Sequence, residues 1–259
     1  MRLWPWRERR FVDAEDEAWQ AETWAWFLRH FGGLDDLRRS PLVAPTRGFF
    51  PPSEATGHER AEHVFEHVKR HARMSDWHCR LEPQAEKPET RVGEFWALKF
   101  DERDPDGTFS VQGNEVVITY DPGAVGDPGA VGDPAQLVAT LAHELCHYRL
   151  RTIHELPPGG EAMEEPATDL ATVYFGFGLF GATCAFEFKQ HGDTFSQGWQ
   201  WRRLGYLPPR AWCYGLAMFF ALRDEPIDGA KPFLRPALFS DLKDAAAYLR
   251  RRPERRALT

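Results

Sequence analysis

The sequence predicts an α+β chain: a helical N-terminal lobe, then a core in which a small antiparallel sheet feeds two helices that carry the chemistry. Three observations predict it. Apolar residues recur at helical spacing through residues 13–31 and 55–73. Two β-rich runs, residues 94–100 and 114–120, are separated by the turn-forming Asp104-Pro-Asp-Gly107. Two further helical stretches, starting near residues 134 and 165, carry histidines and carboxylates four residues apart. The polar, proline-bearing residues 82–91 mark the expected boundary between a lobe of residues 1–90 and a core of residues 91–259, together one compact unit.

The chain has 259 residues, 42% of them hydrophobic, and its ten Trp and nineteen Phe are enough to fill a sizeable core. A net charge of −7 argues against a nucleic-acid binder, because neutralising phosphates takes a basic face. The first ten residues hold no apolar run followed by a small-residue cleavage site, so no signal peptide is visible and the cytoplasm is the expected compartment. Cys79, Cys146, Cys184 and Cys213 show no paired spacing and read as reduced, buried thiols.

Taken in order, the first helix, residues 13–31, has Trp19, Trp26, Phe27 and Phe31 at helical spacing. Residues 32–53, with Gly32-Gly33, Pro41, Pro45 and Pro51-Pro52, read as an irregular connection. The second helix, residues 55–73, buries Ala61, Val64, Phe65, Val68 and Ala72. Its His63, His67 and His71 could hold a metal, but only Glu59 stands near as a partner, so a solvated stripe is expected. After the sheet, Asp121-Pro-Gly-Ala-Val-Gly126 is repeated as residues 127–132. Two copies cannot build a solenoid, and the repeat reads as an expanded surface loop.

The helix expected at residues 134–151 is the centre of the chain. Asp133 suits the N-cap and Pro134 the first helical position. Val138, Leu141 and Leu145 fall on its back face, while Ala139 and Thr140 share the side of His143 and His147. The two histidines, four apart, can grip one metal ion, and Glu144, about 100° round from His143, is positioned as a general base for water. Cys146 lies in the same helix but cannot easily join both histidines as a ligand. Downstream, Glu165 completes a set of two His and one Glu, which leaves a metal position open, and Asp169 one turn later can orient a histidine ring. Pro166 requires Glu165 to sit near a helix start, and Glu164 remains a rival ligand.

His143-Glu144-x-x-His147 with a downstream Glu165-x-x-x-Asp169 resembles the gluzincin metallopeptidases, which are similar to thermolysin, over roughly residues 115–190. The resemblance implies a zincin-like core and one zinc ion held by His143, His147 and Glu165, with Glu144 as base and Asp169 as orienter. A strand beside the cleft would pair with an extended peptide or protein substrate. The expected activity is zinc-dependent hydrolysis of peptide bonds. A non-catalytic, zinc-stabilised binding or regulatory protein and hydrolysis of a non-peptide amide are the rival readings.

Residues 157–160, Pro-Pro-Gly-Gly, turn the chain back into a strongly apolar helix expected at residues 165–188. That run approaches the length of a membrane span, but Gly176, Gly178 and Gly181 suit close packing, so a central buried helix and no membrane contact are expected. Residues 211–222 read as core, and residues 189–210 as loop. A peptidase needs a donor for the oxyanion, and Tyr206 is the first choice, ahead of His191, Tyr214, Tyr148 and Tyr174. A last helix capped by Ser240 runs to about Arg251 and leads into a solvated basic end.

Overall fold

The computed structural model describes residues 10–84, 107–112, 115–125, 134–191 and 207–252. In chain order these form α1 (Ala14–His30), α2 (Gly33–Arg39), α3 (Gly57–His71), β1 (Cys79–Pro83), β2 (Gly107–Gln112), β3 (Glu115–Tyr120), α4 (Pro134–Leu150), α5 (Glu164–Tyr174), α6 (Gly178–His191), α7 (Pro209–Arg223) and α8 (Pro236–Arg250).

The N-terminal helices follow their sequence signals. Asp13 caps α1 by accepting the amide of Asp16, and Glu15, Asp16 and Glu17 complement the positive end of the helix dipole. All five apolar positions expected on the inner face of the second helix are buried in α3 or at its C-cap. The connection expected to be irregular contains α2, a short helix whose Leu37 is fully buried. His63, His67 and His71 do not form a solvated stripe. His63 and His71 meet the carbonyls of Pro51 and Phe49 at 3.0 Å, and the His67 and His71 rings pack on Phe50, so the stripe seats the loop before α3.

The sheet is mixed rather than antiparallel, in the order β1-β3-β2. β2 and β3 pair antiparallel from Gly107 with Tyr120 to Gln112 with Glu115, and β1 adds in parallel from Cys79 with Val116 to Pro83 with Tyr120. The expected strand at residues 94–100 lies outside the described residues. β1 was hidden in the sequence because, among the described residues, it is an edge strand with one buried side chain, Leu81, and a proline at its end. It precedes the expected boundary near residue 90 and yet pairs with a strand beyond it, and one hydrophobic core takes residues from both sides.

The long apolar helix expected at residues 165–188 is two helices. Phe175, Gly176 and Phe177 separate α5 from α6, with Gly176 at φ 93°, where only glycine sits without strain. The Gly176 carbonyl accepts the amide of Val43 at 2.9 Å. No described helix is long and apolar enough to cross a membrane. Residues 211–222 fall within α7, nearly all of them buried. The last helix starts at Pro236, which presets the first helical φ, so Ser240 is inside α8 and does not cap it. Cys146 and Cys213 are buried, and Cys79 and Cys184 half-buried.

Candidate metal centre

α4 begins at Pro134 and turns Val138, Leu141 and Leu145 into the core, where each is at most 2% exposed. With that face fixed, His143 and His147 project from another side, beside the half-buried Ala139 and Thr140. α5 packs against α4 and starts at Glu164, so Glu165 lies in its first turn. Pro166 is accommodated there because a first-turn residue has no helical partner for its amide.

The two helices bring three donor atoms together. His143 Nε2 and His147 Nε2 are 3.0 Å apart, and Glu165 Oε2 lies 3.1 Å from the first and 3.3 Å from the second. A tetrahedral ion bound at 2.0–2.1 Å has ligand–ligand edges of about 3.3 Å, so this triangle fits three corners of one zinc-sized sphere. Among the described residues it is the one group of three or more His, Cys, Asp and Glu so arranged. The imidazole, imidazole and carboxylate donors suit a borderline ion such as zinc. Both histidines are about one-eighth exposed, while the Glu165 side chain is 42% exposed, so the triangle opens to the surface on the carboxylate side.

The outer edge of each ring is also occupied. Asp169, 4% exposed, accepts from His143 Nδ1 at 3.0 Å through Oδ1 and from the Leu207 amide at 2.8 Å through Oδ2. Thr168 stands 3.2 Å from His147 Nδ1. Its single hydroxyl hydrogen is donated to the Glu164 carbonyl at 2.8 Å, so towards the histidine Thr168 can only accept. His147 therefore carries its hydrogen on Nδ1 and turns the Nε2 lone pair into the triangle. Asp169 likewise holds a hydrogen on Nδ1 of His143. Glu165 rather than Glu164 joins the triangle, because Glu164 points its carboxylate towards Arg151, 4.0 Å away.

Compared with protein-family models, curated proteins and solved structures, the chain matches none. What the cluster can do is thus derived from its own geometry.

The charges around the triangle are strongly perturbed. Burial lowers the pKa of His143, but the carboxylates of Asp169 and Glu165 outweigh it and push the ring up to about 10. Burial raises that of Glu165, yet its contacts with the two histidines hold it far below the usual carboxylate range. Glu144 is 6% exposed, and its pKa is raised by burial against the opposing pull of His143 and His147. Such a carboxyl, next to the paired rings and not coordinating with them, is suited to trading a proton. Burial also raises the pKa of Cys146, which keeps that thiol protonated behind α4.

Of the other candidates, Tyr206 lies outside the described residues. Tyr174 donates to the carbonyls of Phe31 and Gly33, and Tyr214 to Glu17, so both hydroxyls are engaged elsewhere. Tyr148 packs edge-on against Trp77. His191 ends α6. Sequence reasoning missed Thr168 and the Leu207 amide. Thr168 could have been found, since it sits one turn after Glu164 and a second ring holding a metal needs an outer partner just as the first does.

Proposed function

We propose that the protein is a zinc-dependent peptidase, with one zinc ion held by His143, His147 and Glu165 and with Glu144 as general base. One observation carries this reading: two Nε2 nitrogens and one carboxylate oxygen converge within 3.3 Å of one another, while the buried Glu144 stands beside them without joining. An ion bound there supplies Lewis acidity, polarising a carbonyl and acidifying water. Asp169 and Thr168 keep the rings aimed. Glu144, its pKa raised by burial, takes a proton from the attacking water and returns it to the departing amine. The small Ala139 and Thr140 leave room beside the rings, and β2, paired on one side only among the described residues, offers an edge to an extended chain. The substrate is accordingly a peptide or protein, met in the cytoplasm, and Tyr206 is the proposed donor to the developing oxyanion.

The deciding experiment is Glu144→Gln. The variant keeps its zinc by elemental analysis and loses peptide hydrolysis by about two to four orders of magnitude. Hydrolysis at the wild-type rate would remove Glu144 from the chemistry, and a wild-type protein that binds no zinc would remove the centre itself.

A further inference from the structure

On α4, about 200° round from His147, Arg149 lines a separate cavity of about 460 Å³ with Phe31, Trp77 and Ile153. The guanidinium is held from above and from one edge. The ring centroids of Phe175, Phe31 and Trp77 lie 4.6, 5.3 and 5.4 Å from its central carbon. Nη1 donates to the carbonyls of Ala72 and Arg73, 3.3 and 3.4 Å away, at the C-terminal end of α3. Nε and Nη2 form no hydrogen bond with any described residue, and no described carboxylate pairs with Arg149. The Arg149 side chain is half-buried, so part of it faces solvent.

Nε–H and the neighbouring Nη2–H are the parallel pair with which an arginine grips a planar carboxylate bidentately. The acid that lines the cavity, Glu155, is taken by His30 at 3.0 Å and Arg29 at 3.5 Å. We propose that this cavity binds a carboxylate carried on an apolar or aromatic body, the carboxylate on the open fork of Arg149 and the body against Trp77 and Ile153. The site is independent of the metal centre. The same chemistry is presented by a free organic acid and by the C-terminus of a peptide ending in a hydrophobic residue.

The test is a titration of the purified full-length protein with 3-phenylpropionate and with an N-acetylated dipeptide ending in phenylalanine, each beside its carboxamide. It is read by the Trp77 indole resonance, assigned with Trp77→Phe. Saturable binding is expected for the acids and at least about tenfold weaker binding for the amides. Preference for the dipeptide acid over the free acid would identify a peptide C-terminus as the source, and the reverse a free acid. Arg149→Lys keeps the charge and loses the fork, so it should weaken the acids by about tenfold or more. Ile153→Glu should abolish binding even if the lysine variant is unstable, and Glu155→Gln should tighten it. His147→Asn must leave the affinity unchanged, because an acid seated at the metal centre would lose its hold there. Equal binding of acid and amide, no saturation, or wild-type affinity in Ile153→Glu would overturn the proposal.

Discussion

Thr168 Oγ1 lies 3.2 Å from His147 Nδ1 while its hydroxyl is donated to the Glu164 carbonyl 2.8 Å away. This one residue fixes which nitrogen of His147 is free to bind. Thr168→Val keeps the shape and removes the acceptor, so it should weaken zinc binding about 10–100-fold. Thr168→Ser should restore it. Competition against a chelator of known affinity reads the difference, and a valine variant that holds zinc as tightly as wild type would show that Thr168 only packs.

Glu164 and Glu165 are adjacent acids in the first turn of α5, but only Glu165 Oε2 reaches both histidines. Removing a donor should cost more than removing its support, so Glu165→Ala should lose more than about 100-fold in zinc affinity. Glu164→Ala, which removes only a 4.0 Å contact with Arg151, should stay near wild type. The reverse pattern would reassign the third ligand.

How much of this could be read from the sequence depended on whether a local signal had a rival. α4 was legible because Pro134, the paired histidines and the back-face apolar residues all require the same helix. The neighbouring helix was legible at its start, through Pro166, but not at its end. Gly176, Gly178 and Gly181 are all compatible with helix packing, and only tertiary contact selects Gly176 as the break. The partner of His143 was visible as Asp169 at helical spacing from Glu165. The Leu207 amide on the same carboxylate, 38 residues on, leaves no local trace. Ser240 carried a valid cap signal that lost to Pro236 one turn earlier.

Asp36 makes acid stability testable. Burial alone would raise its pKa, but hydrogen bonds from Arg39, at 2.7 Å, and from Arg73, together with the charges of both, hold it below the usual value. A carboxyl depressed in the fold stabilises it above the unfolded pKa of about 3.9, and the contribution is lost as pH falls through the folded value. Asp36→Asn should therefore be less stable than wild type by about 1 kcal/mol at pH 7, and the gap should close below pH 4. Urea unfolding of both proteins at several pH values measures it. A gap that is constant with pH would mean that the carboxylate charge contributes nothing.

Gly176 divides α5 from α6, and its substitution separates two costs that usually arrive together. It lies at φ 93°, and a Cβ there would run into the carbonyl oxygen of Pro41. Gly33 also has a positive φ, 75°, but a Cβ on it would meet nothing within 4 Å. Gly33→Ala should therefore show the conformational strain alone, about 1 kcal/mol. Gly176→Ala adds a backbone collision that must push residues 41–43 away and lengthen the bond from Val43 to Gly176, for a total above about 2 kcal/mol. In thermal unfolding that difference is a midpoint lowered by about 5 °C or more for Gly176→Ala, against about 2–4 °C for Gly33→Ala. Equal shifts would mean that the loop yields freely and that left-handed backbone alone explains the glycine.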